Sequence, residues 1–403
     1  MNQELIKEIA KRTESKIVFL VIDGLGGVAH PDTGKTELET AEIPNLDRLA
    51  RESLCGLSIP VGLGITPGSG PAHLALFGYD PVKHKIGRGV LEASGIGVNL
   101  QKNDLACRAN FATYDYKSNL VLDRRAGRIP TEKCIELCSL LQNKIKKLDH
   151  TEIYFYPGKG HRFVIVFRGD ELSEEINQND PEKDKLPPKV VQALNPEAEK
   201  TAKLVNRFLS TAQEIIKNFN PANYILLRGF ARYPNLPSMQ EKYQLNPAAI
   251  ATYPMYRGIA RLLGMEILST GEKLEDEIKT LEQNFAEYDF FYLHIKETDL
   301  YGEDGNFTGK VKKLEEIDSF IPRIETLSPQ VLVITGDHST PAVLKGHSWH
   351  PVPFLLWSKD TPKNEVKRFT EKECRLGSLG LFPAKEIISL ALAYAGKLSK
   401  FGA

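Results

Sequence analysis

The hydrophobic pattern of this chain consists mainly of short, unbroken apolar runs separated by amphipathic segments. Runs such as Ile17–Ile22, Phe290–Ile295 and Val331–Thr335 have the length and composition of parallel strands buried on both faces. Between such runs lie segments with helical spacing of apolar residues, of which 197–218 and 310–326 are the longest. This alternation predicts an α/β fold in which helices cover both faces of a mostly parallel sheet.

The middle of the chain follows a different pattern, with two neighbouring strands in place of strand–helix alternation. Strands predicted at 152–156 and 162–167 flank a glycine-containing turn, which indicates a hairpin. We therefore expect a second, smaller α/β domain at 115–245. It would be inserted into a core domain formed by residues 1–114 and 246–403, and 403 residues are enough for two domains.

The composition excludes some classes of partner. Lys plus Arg and Asp plus Glu number 52 each, so no global basic field favours nucleic acid or an anionic membrane. We expect no membrane span and no signal peptide, because no apolar run is long enough and the first residues are acidic and helical. The five cysteines show no metal-binding spacing, which predicts reduced thiols and a cytoplasmic protein.

Two candidate chemical groups lie near the amino end of the predicted core. Asp23 directly follows the strand 17–22 and precedes glycines, which suits a metal ion or a phosphate; a turn-capping aspartate is the alternative. Ser69 lies in a Gly- and Pro-rich loop that leads into a helix predicted from Ala72. A hydroxyl at a helix N-terminus, bound to a cation, can lose its proton and attack phosphorus; an ordinary N-cap serine is the alternative.

The strongest local signal is a polar cluster that follows a buried strand near the other end of the chain. Asp337 and His338 come directly after the strand 331–335, and His347 follows closely. Adjacent carboxylate and imidazole groups at a strand end can bind two neighbouring cations. Two metal ions about 4 Å apart clamp the attacking and leaving oxygens of a phosphoryl group.

A further acidic pair follows the strand 290–295. Asp299 and Glu303 share one face if a helical turn begins there, so both carboxylates could reach one cation; a solvated acidic loop is the alternative. Because ligands in open α/β sheets gather beyond the carboxyl ends of the strands, Asp23 and these later groups are predicted to converge on one site.

Arginines suited to phosphate and carboxylate groups occur at three places. Bidentate guanidinium groups match both anions, although solvated basic loops would show the same pattern. The candidates are Arg124, Arg125 and Arg128 in one short segment, Arg228 at a strand end, and Arg88 between two glycines.

Seven motifs are spread over nearly the whole chain. They are VIDG at 21–24, PNLD at 44–47, TPGSGPAH at 66–73, GRGVLEA at 87–93, DRRAGR at 123–128, GDHSTP at 336–341 and HS at 347–348. Together they resemble the archaeal-type cofactor-independent phosphoglycerate mutases of the alkaline phosphatase superfamily. The GDHSTP and PGSGPAH strings are specific, whereas the glycine pairs are not.

The resemblance implies interconversion of 3-phosphoglycerate and 2-phosphoglycerate through a phosphoserine on Ser69, with two divalent cations and no 2,3-bisphosphoglycerate. It implies one cation bound by Ser69, Asp23, Asp337 and His338, and a second bound by Asp299, His347 and the residue at position 303. The five arginines named above would hold the small phosphorylated substrate, which turns around between the two transfers in a cleft closed against water.

This sequence departs from the family pattern at two positions. Glu303 stands where the family usually has histidine, and His350 stands where it usually has aspartate. A carboxylate ligand at position 303 favours Mn²⁺ or Mg²⁺ over Zn²⁺, and His350 is an alternative ligand in place of the lost imidazole.

The departures leave other activities open. One alternative is a metal-dependent phosphatase or phosphotransferase that acts on another small phosphorylated metabolite. The other is a homologue that binds a phosphometabolite without turnover.

Overall fold

The apolar runs of the sequence form the strands of two separate sheets. The structure of the protein, a computed structural model, describes residues 3–84, 86–234, 236–362 and 364–402. Within these residues the strands are β1 (Ile17–Ile22), β2 (Leu54–Ile59), β3 (Asp104–Asp115), β4 (Leu120–Asp123), β5 (Lys147–Leu148), β6 (Thr151–Pro157), β7 (Arg162–Arg168), β8 (Tyr224–Arg232), β9 (Pro247–Ile250), β10 (Glu266–Ile267), β11 (Phe290–Ile295), β12 (Val331–Thr335), β13 (Val352–Trp357) and β14 (Gly380–Pro383).

Helices follow most of the amphipathic segments. In the same described residues they are α1 (Gln3–Ile9), α2 (Glu37–Thr40), α3 (Pro44–Arg51), α4 (Ser69–Leu76), α5 (Arg88–Gly95), α6 (Thr131–Lys144), α7 (Glu199–Ile216), α8 (Met239–Tyr243), α9 (Pro254–Leu262), α10 (Leu274–Asn284), α11 (Glu297–Glu303), α12 (Phe307–Thr326), α13 (Glu371–Cys374) and α14 (Ile387–Tyr394).

The chain divides into two compact units, one formed by residues 1–85 and 236–403 and the other by residues 86–235. The predicted insertion at 115–245 differs from this division at both ends. Residues 86–114 group with the inserted unit because β3 pairs with both β7 and β8, and α5 packs on β3. At the other end, the Tyr243 hydroxyl donates to the carbonyl oxygen of Phe77, which ties α8 to the core unit.

The core unit is built on an eight-stranded sheet in the order β10-β9-β11-β1-β12-β13-β2-β14. Strand β1 lies between β11 and β12 and runs parallel to both, and all six of its residues are buried. Strand β13 runs antiparallel to its neighbours, β12 and β2, and the other strand pairs in the described part of this sheet are parallel. The predicted mostly parallel sheet is therefore confirmed, and continuous apolar strands are what such a position requires.

Helix α12 shows how a core helix covers the sheet. Its residues Leu314, Ile317, Ile321 and Ile324 recur at helical spacing and are all buried. Burial of each such side chain stabilises the fold by roughly 1.5–3 kcal/mol. The helix begins three residues before the predicted position, because the Asn306 side chain caps it by accepting from the backbone N–H of Gly309 at 2.9 Å.

The inserted unit has a six-stranded antiparallel sheet. Five strands follow the order β4-β3-β7-β6-β5, and the sixth, β8, pairs with β3 on the side opposite β7. The predicted hairpin is confirmed as β6–β7. Helices α6 and α7 contribute to its apolar core, where the rings of Phe111 and Phe163 stack with centroids 4.4 Å apart. This arrangement confirms a second α/β unit.

All five cysteines are buried free thiols. Across the described ranges, none of the helices combines the length and apolar character needed to cross a bilayer.

Glu277 on α10 is a buried carboxyl group that weakens the fold as the pH rises. Burial, aided by the nearby charge of Glu297, raises the pKa of Glu277 to about 9. The unfolded chain loses this proton near pH 4.3. Stability from the neutral acid is therefore complete below that pH and is lost progressively as the pH rises toward 9.

We expect Glu277→Gln to unfold at higher denaturant concentration than the unchanged protein at pH 8, with a gain of at least about 1.4 kcal/mol, which corresponds to one pKa unit. The gain should shrink toward pH 5, as measured by urea unfolding at both pH values. Glu275→Gln, an exposed change on the same helix, is the control. An equal stability difference at both pH values would contradict this assignment.

Candidate metal-binding active site

The site forms where three adjacent strands of the core sheet end. Asp23 follows β1, Asp337 and His338 follow β12, and Asp299 lies on α11 just after β11. Because β1 pairs in parallel with β11 and β12, their carboxyl ends meet at one edge of the sheet. The predicted convergence of these distant residues is therefore observed.

The first cluster consists of Asp23, Asp337 and His338, all fully buried. The Nε2 atom of His338 lies 3.4 Å from Asp23 Oδ1 and 3.1 Å from Asp337 Oδ2. Ser69 joins this cluster, since its Oγ atom lies 3.3 Å from the same nitrogen. Helix α4 begins at Ser69 rather than at Ala72, so the hydroxyl lies in the first turn beside free backbone N–H groups.

The second cluster consists of Asp299, His338 and His347. The Nε2 atom of His347 lies 3.6 Å from Asp299 Oδ1 and 3.8 Å from Glu303 Oε1. Rings of the two histidines stack with centroids 3.7 Å apart, so the two clusters adjoin and share His338. Glu303 is at the edge of the second cluster, with its side chain 50% exposed.

Gly24 allows the two clusters to lie this close. Its backbone has a φ of +65°, and a Cβ atom there would lie 2.7 Å from Thr340 Oγ1 and 2.9 Å from Asp299 Oδ1. Any side chain at this position would therefore be strained and would displace Asp299. This requirement explains why glycine follows Asp23.

Neighbouring groups fix the tautomers of both histidines. Thr340 donates its only hydroxyl proton to Asp299 Oδ1 at 2.6 Å, so it must accept from His338 Nδ1 at 3.0 Å. His347 Nδ1 lies 3.0 Å from the carbonyl oxygen of Pro67, which only accepts. In the neutral rings, both Nε2 atoms therefore carry lone pairs that face the carboxylates, as metal ligation requires.

Sequence reasoning missed Lys296, which lies between the two clusters. Its Nζ atom donates to Asp23 Oδ2 at 3.0 Å, to Asp299 Oδ2 at 2.5 Å and to the Tyr256 hydroxyl at 3.1 Å. Burial alone would lower the pKa of Lys296, but the two carboxylates outweigh it and raise the pKa. The available signal was its position immediately after β11, the same kind of position that identified Asp23.

Two histidines beside the first cluster were also missed. His73 Nδ1 lies 3.2 Å from Asp337 Oδ2, and His294 Nε2 lies 3.3 Å from Asp23 Oδ2. Burial tends to raise the pKa of Asp23, but the interaction with the His294 side chain and the charge of Lys296 hold it well below the ordinary value. The carboxylate therefore stays ionised at neutral pH.

The donor set fits a divalent cation. Among the described residues, Asp23 Oδ1 and Asp337 Oδ2 are buried oxygens without a hydrogen-bond partner. Buried carboxylate oxygens normally have such partners or bind cations, and here they face a bare imidazole nitrogen. Mixed oxygen and nitrogen donors of this kind suit Mn²⁺, Mg²⁺ or Zn²⁺.

His350, the alternative ligand considered for the second cation, points elsewhere. Its Nδ1 atom lies 3.0 Å from Ser348 Oγ, and its ring stacks on Trp349 with centroids 5.1 Å apart. Neither candidate cluster found in the described residues includes it. Glu303 remains the nearer candidate for the position where the family usually has histidine.

The five predicted arginines all lie in the inserted unit, in different environments. Arg124 forms a bidentate pair with Asp180 at 2.7 and 2.8 Å, and Arg228 Nη1 lies 3.9 Å from the same carboxylate. Arg88 Nε lies 3.9 Å from Glu92. Arg125 and Arg128 lie in the turn after β4, where the backbone N–H of Arg128 donates to the carbonyl oxygen of Arg125.

A further basic group in this unit was not predicted. Arg108 on β3 is buried and lies 2.8 Å from Glu92 Oε1. Burial, together with the positive charges of Arg228 and Arg162, lowers the pKa of Arg108 to about 10. His161 shares this basic environment, because burial and Arg162 lower its pKa to about 4. Perturbed pKa values of this kind cluster at functional sites, although structural ion pairs such as that of Arg108 with Glu92 also produce them.

A serine hydroxyl held among buried carboxylates and imidazoles, at the edge of an α/β sheet, defines a class of protein. It is the class of phosphoryl-transfer enzymes whose donor groups suit divalent cations.

The comparisons with known proteins specify the family within this class. The family model of the 2,3-bisphosphoglycerate-independent phosphoglycerate mutases matches residues 50–223. A probable 2,3-bisphosphoglycerate-independent phosphoglycerate mutase from Thermotoga maritima is 53% identical over 402 residues, covering 100% of this chain and 99% of that protein. One from Aquifex aeolicus is 50% identical over 407 residues, covering 99% and 100%.

Solved structures agree with this relationship. A Pyrococcus horikoshii protein superposes with a TM-score of 0.82 at 28% identity, covering 97% of this chain and 100% of that one. A cofactor-independent phosphoglycerate mutase from Thermoplasma acidophilum gives 0.76 at 28% identity, covering 95% and 100%. The chain belongs to the 2,3-bisphosphoglycerate-independent phosphoglycerate mutase family, a family of isomerases, and the resemblance found in its motifs is confirmed.

Because Thr340 bonds to both Asp299 and His338, we expect it to support metal binding. We expect Thr340→Val to weaken Mn²⁺ binding about 10- to 100-fold, because loss of the hydroxyl frees the His338 ring and one Asp299 oxygen. Titration followed by electron paramagnetic resonance measures the free Mn²⁺. Thr335→Val, which removes a buried hydroxyl bonded to Pro353 O at 2.9 Å, is the matched control. Equal affinities for the two variants would contradict the role of Thr340.

Proposed function

We propose that the protein interconverts 3-phosphoglycerate and 2-phosphoglycerate through a phosphoserine formed on Ser69. The observation that carries this proposal is the Ser69 Oγ atom 3.3 Å from His338 Nε2, beside the buried carboxylates of Asp23 and Asp337. A nucleophilic hydroxyl in such a place stores the phosphoryl group covalently while the glycerate changes position. No 2,3-bisphosphoglycerate is then needed.

In this proposal the two clusters hold two divalent cations. Ser69, Asp23, Asp337 and His338 would hold one, and Asp299, His347 and Glu303 the other. Bound cations supply Lewis acidity, which lowers the pKa of the serine hydroxyl and balances the charge on the phosphoryl oxygens. We favour Mn²⁺ or Mg²⁺, because two of the three proposed ligands of the second cation, Asp299 and Glu303, are carboxylates.

The residues of the chain perform the transfer in two matched steps. Ser69 Oγ gives up its proton and forms a bond to the phosphorus of 3-phosphoglycerate, while the bond from phosphorus to the substrate O3 breaks and O3 takes up a proton. After the glycerate turns, its O2 hydroxyl gives up its proton and bonds to the same phosphorus, while the bond from phosphorus to Ser69 Oγ breaks and Oγ takes up a proton. The Lys296 ammonium, 12% exposed between Asp23 and Asp299, adds a positive charge next to the phosphoryl group.

Arginines of the inserted unit would bind the carboxylate and phosphate of the substrate. The candidates are Arg88, Arg124, Arg125, Arg128 and Arg228. Arg124 uses two of its five guanidinium donors on Asp180 and keeps three for an anion. We add Arg108 from the structure to this set. The substrate is thus a small phosphorylated metabolite, and we place the enzyme in the cytoplasm.

The phosphoserine is tested by Ser69→Ala. We expect loss of 3-phosphoglycerate turnover by at least about 10⁴-fold, because a transfer without the covalent intermediate lacks its nucleophile. The unchanged protein should show a phosphoryl adduct on Ser69 by mass spectrometry after incubation with substrate. Retained turnover in the variant, with normal Mn²⁺ binding, would exclude this route.

The same assay separates the alternative activities. The protein would be a phosphatase or phosphotransferase if it hydrolyses or transfers phosphate from members of a panel of phosphate esters but does not interconvert phosphoglycerates. Absence of turnover on every substrate with Mn²⁺ supplied would identify a binding protein.

Glu303 is predicted to set the metal preference. We expect Glu303→His to raise the affinity for Zn²⁺ relative to Mn²⁺ about tenfold or more, since imidazole favours Zn²⁺ and a carboxylate favours Mn²⁺. Competitive titration of the two ions measures this ratio without an activity assay. Asp304→His, which adds the same imidazole one residue away, is the control. A ratio that moves equally in both variants would show that Glu303 is not a ligand.

A further inference from the structure

Lys310 lies behind the metal-binding clusters and contacts their backbone rather than their ligands. Its side chain is fully buried on α12. The Nζ atom donates hydrogen bonds to the carbonyl oxygens of Gly24 at 2.8 Å, Gly26 at 3.2 Å and Thr340 at 2.9 Å. One ammonium group therefore uses all three of its donors on two separate loops.

These two loops carry the ligands of the first cluster. Gly24 and Gly26 follow Asp23, while Thr340 follows Asp337 and His338. The loops also bond to each other directly, since Thr340 N donates to Gly26 O at 3.1 Å and Gly24 N donates to Asp337 Oδ1 at 3.2 Å. The three carbonyl dipoles converge on one point, where they would repel each other without a cation between them.

A buried carboxylate completes the environment of this ammonium. Glu37 Oε1 lies 3.8 Å from Lys310 Nζ and accepts from the backbone N–H of Ala342 at 2.8 Å. Glu371, close to the same loops, accepts from Gly27 N at 2.7 Å. Three carbonyl oxygens and one carboxylate are the donors that a bound inorganic cation would use. Here the protein supplies the cation from its own chain.

We propose that Lys310 is a positioning residue that sets the separation of the two ligand loops, and thereby the affinity of the first cluster for a divalent cation. This proposal rests on the metal ligands of the proposed function. The ammonium itself is not a ligand. It acts through Gly24 and Thr340 on the positions of Asp23 and His338.

The test is to compare Lys310→Met with Lys313→Met by Mn²⁺ titration. Lys313 is a second buried lysine one turn along α12, but its Nζ atom contacts the side chains of Glu297 at 3.0 Å and Glu316 at 3.2 Å. We expect Lys310→Met to weaken Mn²⁺ binding about 10- to 100-fold, a range typical of groups that orient metal ligands. We expect Lys313→Met to stay within about threefold of the unchanged protein.

A kinetic readout distinguishes positioning from general loss of structure. In the Lys310 variant the Mn²⁺ concentration for half-maximal activity should rise by the same factor, while the KM for phosphoglycerate stays within about twofold at saturating Mn²⁺. If Lys310→Met does not fold, as judged by circular dichroism, Lys310→Gln decides the question. Its amide keeps two donors without the charge, and we expect about three- to tenfold weaker Mn²⁺ binding.

Folded Lys310 variants with unchanged Mn²⁺ affinity would overturn the proposal. So would an equal loss in the Lys310 and Lys313 variants. Failure of the mutase proposal has a different result: the unchanged protein would bind Mn²⁺ but not interconvert phosphoglycerates, and the Mn²⁺ comparison would still decide the role of Lys310.

Discussion

The constraint on which the structure depends is the burial of several carboxyl groups at one edge of the core sheet. Asp23, Asp299 and Asp337 are almost fully excluded from water and lie close enough to repel one another. Burial of charge without compensation is strongly unfavourable, so the surrounding fold must supply positive charge and donors. Lys296 does so between the clusters, and Lys310 does so behind them.

Different elements of the core position the different groups of the site. Strands β1, β11 and β12 bring the carboxylates together, α4 supplies the hydroxyl, and α12 holds the loops from behind. Thr340 connects the two clusters through Asp299 and His338, so neither cluster is independent of the other. The inserted unit, by contrast, has its own antiparallel sheet and apolar core and carries the five predicted arginines.

Much of this arrangement could be predicted from the sequence, because strand ends have a local signature. Asp23, Asp299 and the pair Asp337 and His338 each follow an apolar run, and parallel strands place such positions at one edge. Lys310 had no such signature, since a lysine within an amphipathic helix resembles a solvated residue until the tertiary fold buries it. The start of the inserted unit also had no local signature, because it is set by the pairing of β3 with β7 and β8.

The central place of β1 has a consequence for the order of events during synthesis. Both of its neighbours, β11 and β12, are encoded in the last third of the chain, and His347 comes later still. While the ribosome is producing the inserted unit, Asp23 and Ser69 have none of their later partners. A nascent chain therefore cannot assemble the two candidate metal-binding clusters until the final stage of translation.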